Sequence, residues 1–90
     1  LRADILFLGS RAIHSDYGFS AENLSESHSD QTLIHAARQT IVIADHTKFG
    51  KVAMVRVAPF DQVSRIITDT GLPKPQVQEL IDGGITVEAV

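Results

Sequence analysis

Asp45 and Lys48, three positions apart, are the pair whose residue types and spacing best suit chemistry on a ligand. They follow an apolar run and precede Gly50, so the sequence predicts a tight turn at a strand end. On such a turn the ammonium could bind a phosphate while the carboxylate accepts hydrogen bonds from sugar hydroxyls. Gly50 could let the backbone approach that ligand closely. The alternative is a local ion pair that closes the turn beside an ordinary turn glycine, and the residues alone leave both interpretations open.

Polar segments also follow two other apolar runs. Gly9, Ser10 and Arg11 come after the run 5–8, and residues 68–71 come after the run 66–67. In open parallel α/β sheets ligands bind beyond the carboxyl ends of the strands, so we expect these segments to converge with the Asp45 turn on one rim. The rim would offer carboxylates, hydroxyls, backbone amides and cations. This combination suits a small polyol that carries negative charge.

The apolar runs that must position this rim are continuous rather than alternating. The runs 5–8, 41–44 and 66–67 are therefore predicted as parallel strands buried on both faces, and 85–87 as a weaker last strand. A further strand is predicted at 54–57, ended by Pro59 and followed by a short turn or helix at 60–63.

Two helices are predicted between these strands. The first covers residues 26–39 with Ser25 as its cap, and the second starts at the Pro73 segment and stops at Gly83 and Gly84. Residues 11–25 are predicted as a long polar loop. The fold class is α/β, a mainly parallel sheet flanked by helices in one domain over residues 1–90.

Several common kinds of site are absent from the sequence. The four histidines lack the helical spacing of a zinc site and are predicted to be surface or hydrogen-bonded residues: His14, His28, His35 and His46. No Ser-His-Asp triad is recognisable, and no segment matches a glycine-rich nucleotide-binding loop. We therefore predict no metal, no cofactor and no catalytic residue.

Composition narrows the functional classes. The 90 residues carry a net charge of -3 and contain no cysteine. Without a basic cluster the chain is a poor nucleic-acid clamp, and without cysteine a reducing, cytoplasmic setting is favoured. The apolar runs are far shorter than the roughly 20 residues that a membrane span needs. A core this small suggests a fragment or a homo-oligomer.

The segment from Ala44 to Gly50, with the downstream Ile67-Thr68-Asp69, resembles the C-terminal effector domain of DeoR-family bacterial transcriptional repressors. The resemblance is supported by the opening strand, which reads Asp4-x-x-Phe7-x-Gly9, and by Glu26 before the long helix. It covers nearly all ninety residues, but only the second half of that domain. The resemblance implies a fold similar to ribose-5-phosphate isomerase and glucosamine-6-phosphate deaminase. It places upstream a winged helix-turn-helix, the only part that would contact operator DNA, and a phosphate loop, neither of which lies in this sequence.

The resemblance also implies a function, which is sensing a phosphorylated sugar so that operator binding is relieved. Asp45 and Lys48 would contact this effector, Gly9 and Ser10 would lie along the pocket, and Glu26 would lie at its edge. Two departures concern the effector's identity. Ala12 stands where relatives often have a second glycine, and Asp30 stands where they often have a basic residue.

The alternative hypothesis is an isomerase-like enzyme. Asp45 would then act as general base for enediol formation and Lys48 would stabilise the developing oxyanion. The sequence shows no second positioned acid beyond Glu26 and Asp69. The prediction is accordingly a regulator and not an enzyme.

Overall fold

The computed structural model describes residues 3–90, which form two β-sheets and two α-helices. The elements are β1 Ala3–Gly9, β2 Ala12–His14, β3 Gly18–Ala21, α1 Leu24–Ala36, β4 Ala37–Ile43, β5 Val55–Ala58, β6 Arg65–Thr68, α2 Lys74–Asp82 and β7 Thr86–Ala89. Short 3-10 helices lie at His46–Lys48 and Phe60–Gln62. In the described residues 3–90, neither α1 nor α2 has the length and apolar composition of a membrane-spanning helix.

The main sheet has four strands in the order β1-β4-β6-β7, and every neighbouring pair is parallel. Ile41 of β4 lies opposite Phe7 of β1 on one side and Arg65 of β6 on the other. Because the strands run in the same direction, the segments after β1, β4 and β6 emerge at the same edge. The predicted α/β fold with a mainly parallel sheet is confirmed.

The smaller sheet is antiparallel, in the order β2-β3-β5, and contradicts the predicted loop at 11–25. Strands β2 and β3 have only three and four residues, too few for a periodic signal. Tertiary packing defines them: all of β3 is buried, and the hydroxyl of Ser20 accepts a hydrogen bond from the amide of Ala53 at 2.9 Å. Gly18 adopts a φ of +86°, and an added Cβ there would lie 2.4 Å from the carbonyl oxygen of Ala58. Only glycine lets β3 approach the end of β5 in this way.

Helix α1 begins and ends earlier than predicted. Its cap is Asn23, whose side-chain oxygen accepts a hydrogen bond from the amide of Glu26 at 2.8 Å, so Ser25 lies inside the first turn. The helix stops at Ala36, and the following residues join β4, where Gln39 pairs with Ile5. Parallel pairing with β1 therefore overrides helical propensity at 37–39. Helix α2 lies between Pro73 and Gly83 as predicted.

The hydrophobic core lies on one face of the parallel sheet. Val42 and Ile66 are 1% and 0% exposed, and they cluster with Ile34 of α1 and Leu80 of α2. The opposite face carries Ile5, Phe7 and Ile43, which are 49%, 60% and 47% exposed. The prediction that these strands are buried on both faces is therefore wrong at these three residues. It holds at Ile41, the partner of Phe7 on the same face, which is 7% exposed. Side chains from both helices and from the small sheet join the cluster on the Val42 and Ile66 face.

Candidate functional site

A polar groove lies where the carboxyl ends of β1 and β4 meet the start of α1. Its volume is about 340 Å³, and it is lined by Gly9, Ser10, Arg11, Glu26 and Lys48. The lining residues come from three places in the fold: Gly9 ends β1 and the next two residues follow it, Glu26 lies in the first turn of α1, and Lys48 ends the 3-10 helix after β4. The structure thus brings together four of the six residues predicted from the sequence.

Arg11 belongs to this groove, although the sequence analysis assigned it only to the rim and not to the site. Its Nε lies 3.5 Å from Oε1 of Glu26, and its side chain is 61% exposed. The only signal in the sequence was its position directly after Gly9 and Ser10. The groove therefore holds two cations and one carboxylate, together with the Ser10 hydroxyl, which donates to the carbonyl of Ala12 at 3.1 Å.

Asp45 closes the turn that carries Lys48. Its Oδ1 accepts hydrogen bonds from the hydroxyl of Thr47 and, at 2.8 Å, from the amide of Thr47. The hydroxyl bond and then the amide bond hold the pKa of Asp45 below its ordinary value. Among the described residues no Asp45–Lys48 ion pair forms within 4 Å. Asp45 is not among the residues lining the groove, and hydrogen bonds rather than an ion pair close the turn.

His46 and Asp69 join the polar ends of β4 and β6. Nδ1 of His46 lies 2.9 Å from Oδ1 of Asp69, and the amide of His46 donates to Oδ2 at 3.2 Å. The amide of Gly71 donates to Oδ1 at 2.8 Å. A Cβ at Gly71 would lie 2.6 Å from Nδ1 of His46, so the missing side chain makes room for the imidazole. The hydrogen bond from His46 is the main cause that lowers the pKa of Asp69.

Gly50 is not among the residues that line the groove. Its φ is +76°, its amide donates to the carbonyl of Ile13 at 2.8 Å, and it lines a different cavity, with a volume of about 120 Å³, beside Gln76 and Leu80. A left-handed backbone favours glycine whether or not a ligand is near. The geometry of Gly50 therefore matches the turn-glycine interpretation, and its predicted contact with an effector has no support from position.

The other titratable residues near the site form no metal centre. No group of three or more His, Asp or Glu side chains within residues 3–90 is arranged to hold a metal ion. Nδ1 of His14 accepts hydrogen bonds from the amides of Asp16 and Tyr17. Asp30, one helical turn after Glu26, has a raised pKa because of partial burial and then because of the Glu26 charge. The predicted histidine environments agree with the structure at His14 and His46.

Most of the chain matches a known family of sensor domains. The family model described as "DeoR C terminal sensor domain" matches residues 1–70. The chain belongs to the DeoR sensor-domain family. Strands β1, β4 and β6 of the parallel sheet, the Asp45 turn and Asp69 lie within the matched residues, so the resemblance inferred from the sequence is confirmed.

Curated relatives of this DeoR sensor domain are transcriptional regulators. The chain is 29% identical over 84 residues to the HTH-type transcriptional regulator GlpR of Haloferax volcanii, covering 93% of the chain and 33% of the relative. It is 31% identical over 87 residues to the glycerol-3-phosphate regulon repressor of Escherichia coli K12, covering 97% and 34%. It is 31% identical over 86 residues to the HTH-type transcriptional repressor CsqR of the same organism, covering 96% and 33%. The chain thus spans about a third of the length of these relatives.

Proposed function

We propose that this chain is the effector-binding part of a DeoR-family transcription regulator and that its groove binds a phosphorylated sugar or polyol. The observation that carries the proposal is the convergence of Gly9, Ser10, Glu26 and Lys48 on one groove. The carboxylate of Glu26 can accept hydrogen bonds from ligand hydroxyls, and the ammonium of Lys48 can bind a charged oxygen. One of the curated relatives is named for glycerol 3-phosphate, a small phosphorylated polyol.

In this proposal the ligand acts through DNA contacts made elsewhere in the regulator. A net charge of -3 makes these ninety residues a poor surface for binding a phosphate backbone. Effector binding can change operator affinity only by as much as the effector's affinity differs between the two states of the regulator. A homo-oligomer remains a prediction that light scattering of the full-length protein would test.

The isomerase alternative is weaker on chemical grounds. A general base that works near neutral pH needs a pKa close to that pH. The pKa of Asp45 is instead lowered, and one of its oxygens already accepts two hydrogen bonds from Thr47. Asp69 is engaged by His46 and Gly71 in the same manner. We therefore expect the full-length protein not to interconvert aldoses and ketoses.

The first test measures thermal unfolding of the full-length protein with a panel of phosphorylated compounds and their unphosphorylated counterparts. The panel contains glycerol 3-phosphate, glucose 6-phosphate, fructose 1-phosphate and fructose 6-phosphate. A compound that binds the folded state and is present at a hundred times its Kd adds about 2.7 kcal/mol of stability. We expect at least one phosphorylated member to raise the melting temperature and its neutral counterpart to have no effect.

The matched variants are Lys48→Gln and Lys74→Gln. Lys74 is an exposed residue at the start of α2, outside the groove, so its substitution controls for the loss of one positive charge. We expect Lys48→Gln to remove most of the stabilisation and Lys74→Gln to keep it. Equal responses of wild type and Lys48→Gln would contradict the assignment of this groove.

A further inference from the structure

A second groove adjoins the candidate site. Its volume is about 310 Å³, and it shares Arg11 and Lys48 with the first groove. Its other lining residues are Ala12, Glu22, Lys51 and, from the segment before β5, Val52, Ala53 and Met54. The two grooves therefore meet at Arg11 and Lys48. The sequence analysis placed Arg11 only on the polar rim and gave Lys51 no role.

Charge is distributed unevenly along the two grooves. The carboxylate of Glu26 lines only the first groove and that of Glu22 only the second, whereas Arg11 and Lys48 line both. A cation pair thus occupies the junction, with a third cation, Lys51, on the second groove. An anionic group is attracted to this junction and repelled from both carboxylates, so its position in the grooves is restricted.

The side chains of Arg11, Lys48 and Lys51 are available to bind an anionic group of a ligand. Nε of Arg11 lies 3.5 Å from Oε1 of Glu26, and the guanidinium donates no hydrogen bond within the part of the chain that the structure describes. In the same region Lys48 and Lys51 lie within 4 Å of no carboxylate. A guanidinium presents its nitrogens as a planar fork that matches two oxygens of a phosphate or carboxylate, and an ammonium adds a point charge.

We propose that Arg11, Lys48 and Lys51 form an oxyanion subsite, at which a phosphate or carboxylate of the effector binds while its hydroxyls extend along the first groove toward Ser10 and Glu26. This assignment rests on the proposed function, because it places one part of the same effector. It makes Arg11 and Lys51 specificity-determining residues, since a neutral sugar of the same shape gains nothing from them. The exposed Arg11–Glu26 contact is itself weak, because solvent screens surface ion pairs and ordering their long side chains costs entropy. Arg11 can therefore turn from Glu26 to a ligand at little cost.

The test titrates full-length protein with glycerol 3-phosphate, inorganic phosphate and neutral glycerol, using calorimetry at low ionic strength. The variants are Arg11→Gln, Lys51→Gln and Arg11→Lys, with Lys74→Gln as the charge control. A hydrogen bond to a charged group is worth enough that losing one weakens binding roughly tenfold to a hundredfold. We expect losses of this size for glycerol 3-phosphate in Arg11→Gln and Lys51→Gln, and wild-type affinity in Lys74→Gln.

Two further readouts separate an electrostatic subsite from a structural role. Arg11→Lys keeps the charge but loses the planar fork, so its affinity should lie between those of wild type and Arg11→Gln. Raising the salt concentration should weaken binding of both phosphates, because screening lowers the attraction between exposed charges. Glycerol should bind far more weakly than glycerol 3-phosphate and respond to none of the substitutions.

The inference and the proposed function fail separately. If Lys48→Gln weakens binding but Arg11→Gln and Lys51→Gln match wild type, the subsite is overturned and the groove assignment stands. If a sugar phosphate from the thermal panel stabilises the protein while neither phosphate probe binds it, the subsite is overturned as well. If no phosphorylated compound stabilises or binds the wild-type protein, both proposals are overturned.

Discussion

Asp45 and Asp69 show why a polar rim can be recognised from sequence more easily than its ligand contacts. Both carboxylates follow strands of the parallel sheet and both accept hydrogen bonds from their own turns, from Thr47 in one case and from His46 and Gly71 in the other. These bonds fix the turns that position Lys48 and hold the ends of β4 and β6 together. At the residue scale, the main role of Asp45 and Asp69 is therefore to stabilise the turns in which they lie.

The hydrogen bonds of Asp69 predict how stability depends on pH. Its pKa is lowered from the ordinary value of 3.8, chiefly by the hydrogen bond from His46, so the folded state binds this proton less readily than the unfolded state. The contribution of Asp69 to the stability of the fold is fully present at pH values above its ordinary, unfolded-state pKa. It is lost as the pH falls through the lowered pKa of the folded state. Denaturant unfolding between pH 6 and pH 3 should show a smaller acid loss for Asp69→Asn than for wild type.

The control for this experiment is Asp61→Asn. Asp61 is an exposed aspartate whose carboxylate makes no hydrogen bond among residues 3–90. Asp61→Asn should reproduce the wild-type acid loss. An unchanged pH dependence in Asp69→Asn would show that its carboxylate contributes nothing to folding.

The sequence predicted four members of the groove because each carries a local signal. Gly9 and Ser10 follow an apolar run, Glu26 lies near a helix start, and Lys48 lies in a turn motif. Arg11 was not assigned, because its role depends on the three-dimensional approach of Glu26 and Lys48. The prediction for Gly50 could not separate ligand approach from backbone geometry, since a positive φ favours glycine in either case.

At the scale of elements, the strands of the parallel sheet were predictable because they form continuous apolar runs. The hairpin of β2 and β3 could not be predicted, because its strands have only seven residues in all. Phe19 and Ser20 hold it in place through contacts with Phe60 and Ala53, which are distant in the sequence. The end of α1 was misplaced for a similar reason, since residues 37–39 pair with β1 instead of extending the helix. Local propensity competes with strand pairing at such boundaries, and pairing depends on the partner strand.

The two faces of the sheet predict different costs for the same substitution. Ile66 is 0% exposed on the covered face, whereas Ile43 on the neighbouring strand is 47% exposed on the other face. Truncating a buried isoleucine to alanine typically costs about 2 to 5 kcal/mol. Urea unfolding of the ninety-residue chain should show a loss in this range for Ile66→Ala and a loss below about 1 kcal/mol for Ile43→Ala.

The same two substitutions, Ile66→Ala and Ile43→Ala, also test whether residues outside the described part of the chain cover the Ile43 face of the sheet. If Ile43→Ala were as costly as Ile66→Ala in the isolated chain, the described exposure of this sheet face would be contradicted. Repeating the measurement in the full-length protein shows whether further residues cover the face, because Ile43→Ala would then approach the cost of Ile66→Ala.

At the scale of the whole molecule, fold and charge agree with a sensing role. The parallel sheet delivers three polar strand ends to one rim, and the net charge of -3 makes these ninety residues a poor surface for nucleic acid. The chain spans about a third of the length of its curated relatives. The groove at β1, β4 and α1 is accordingly the feature on which the proposed function depends.

Hydrogen–deuterium exchange of the full-length protein tests this claim most directly. The ligand is the phosphorylated compound that stabilises it most, and the control is the unphosphorylated counterpart. We predict slower exchange in peptides that contain residues 9–11, 24–28 and 46–50, and little change in peptides from α2. Protection confined to α2 or to the cavity beside Gln76, with no change at residues 9–11 and 46–50, would contradict a ligand site in this groove.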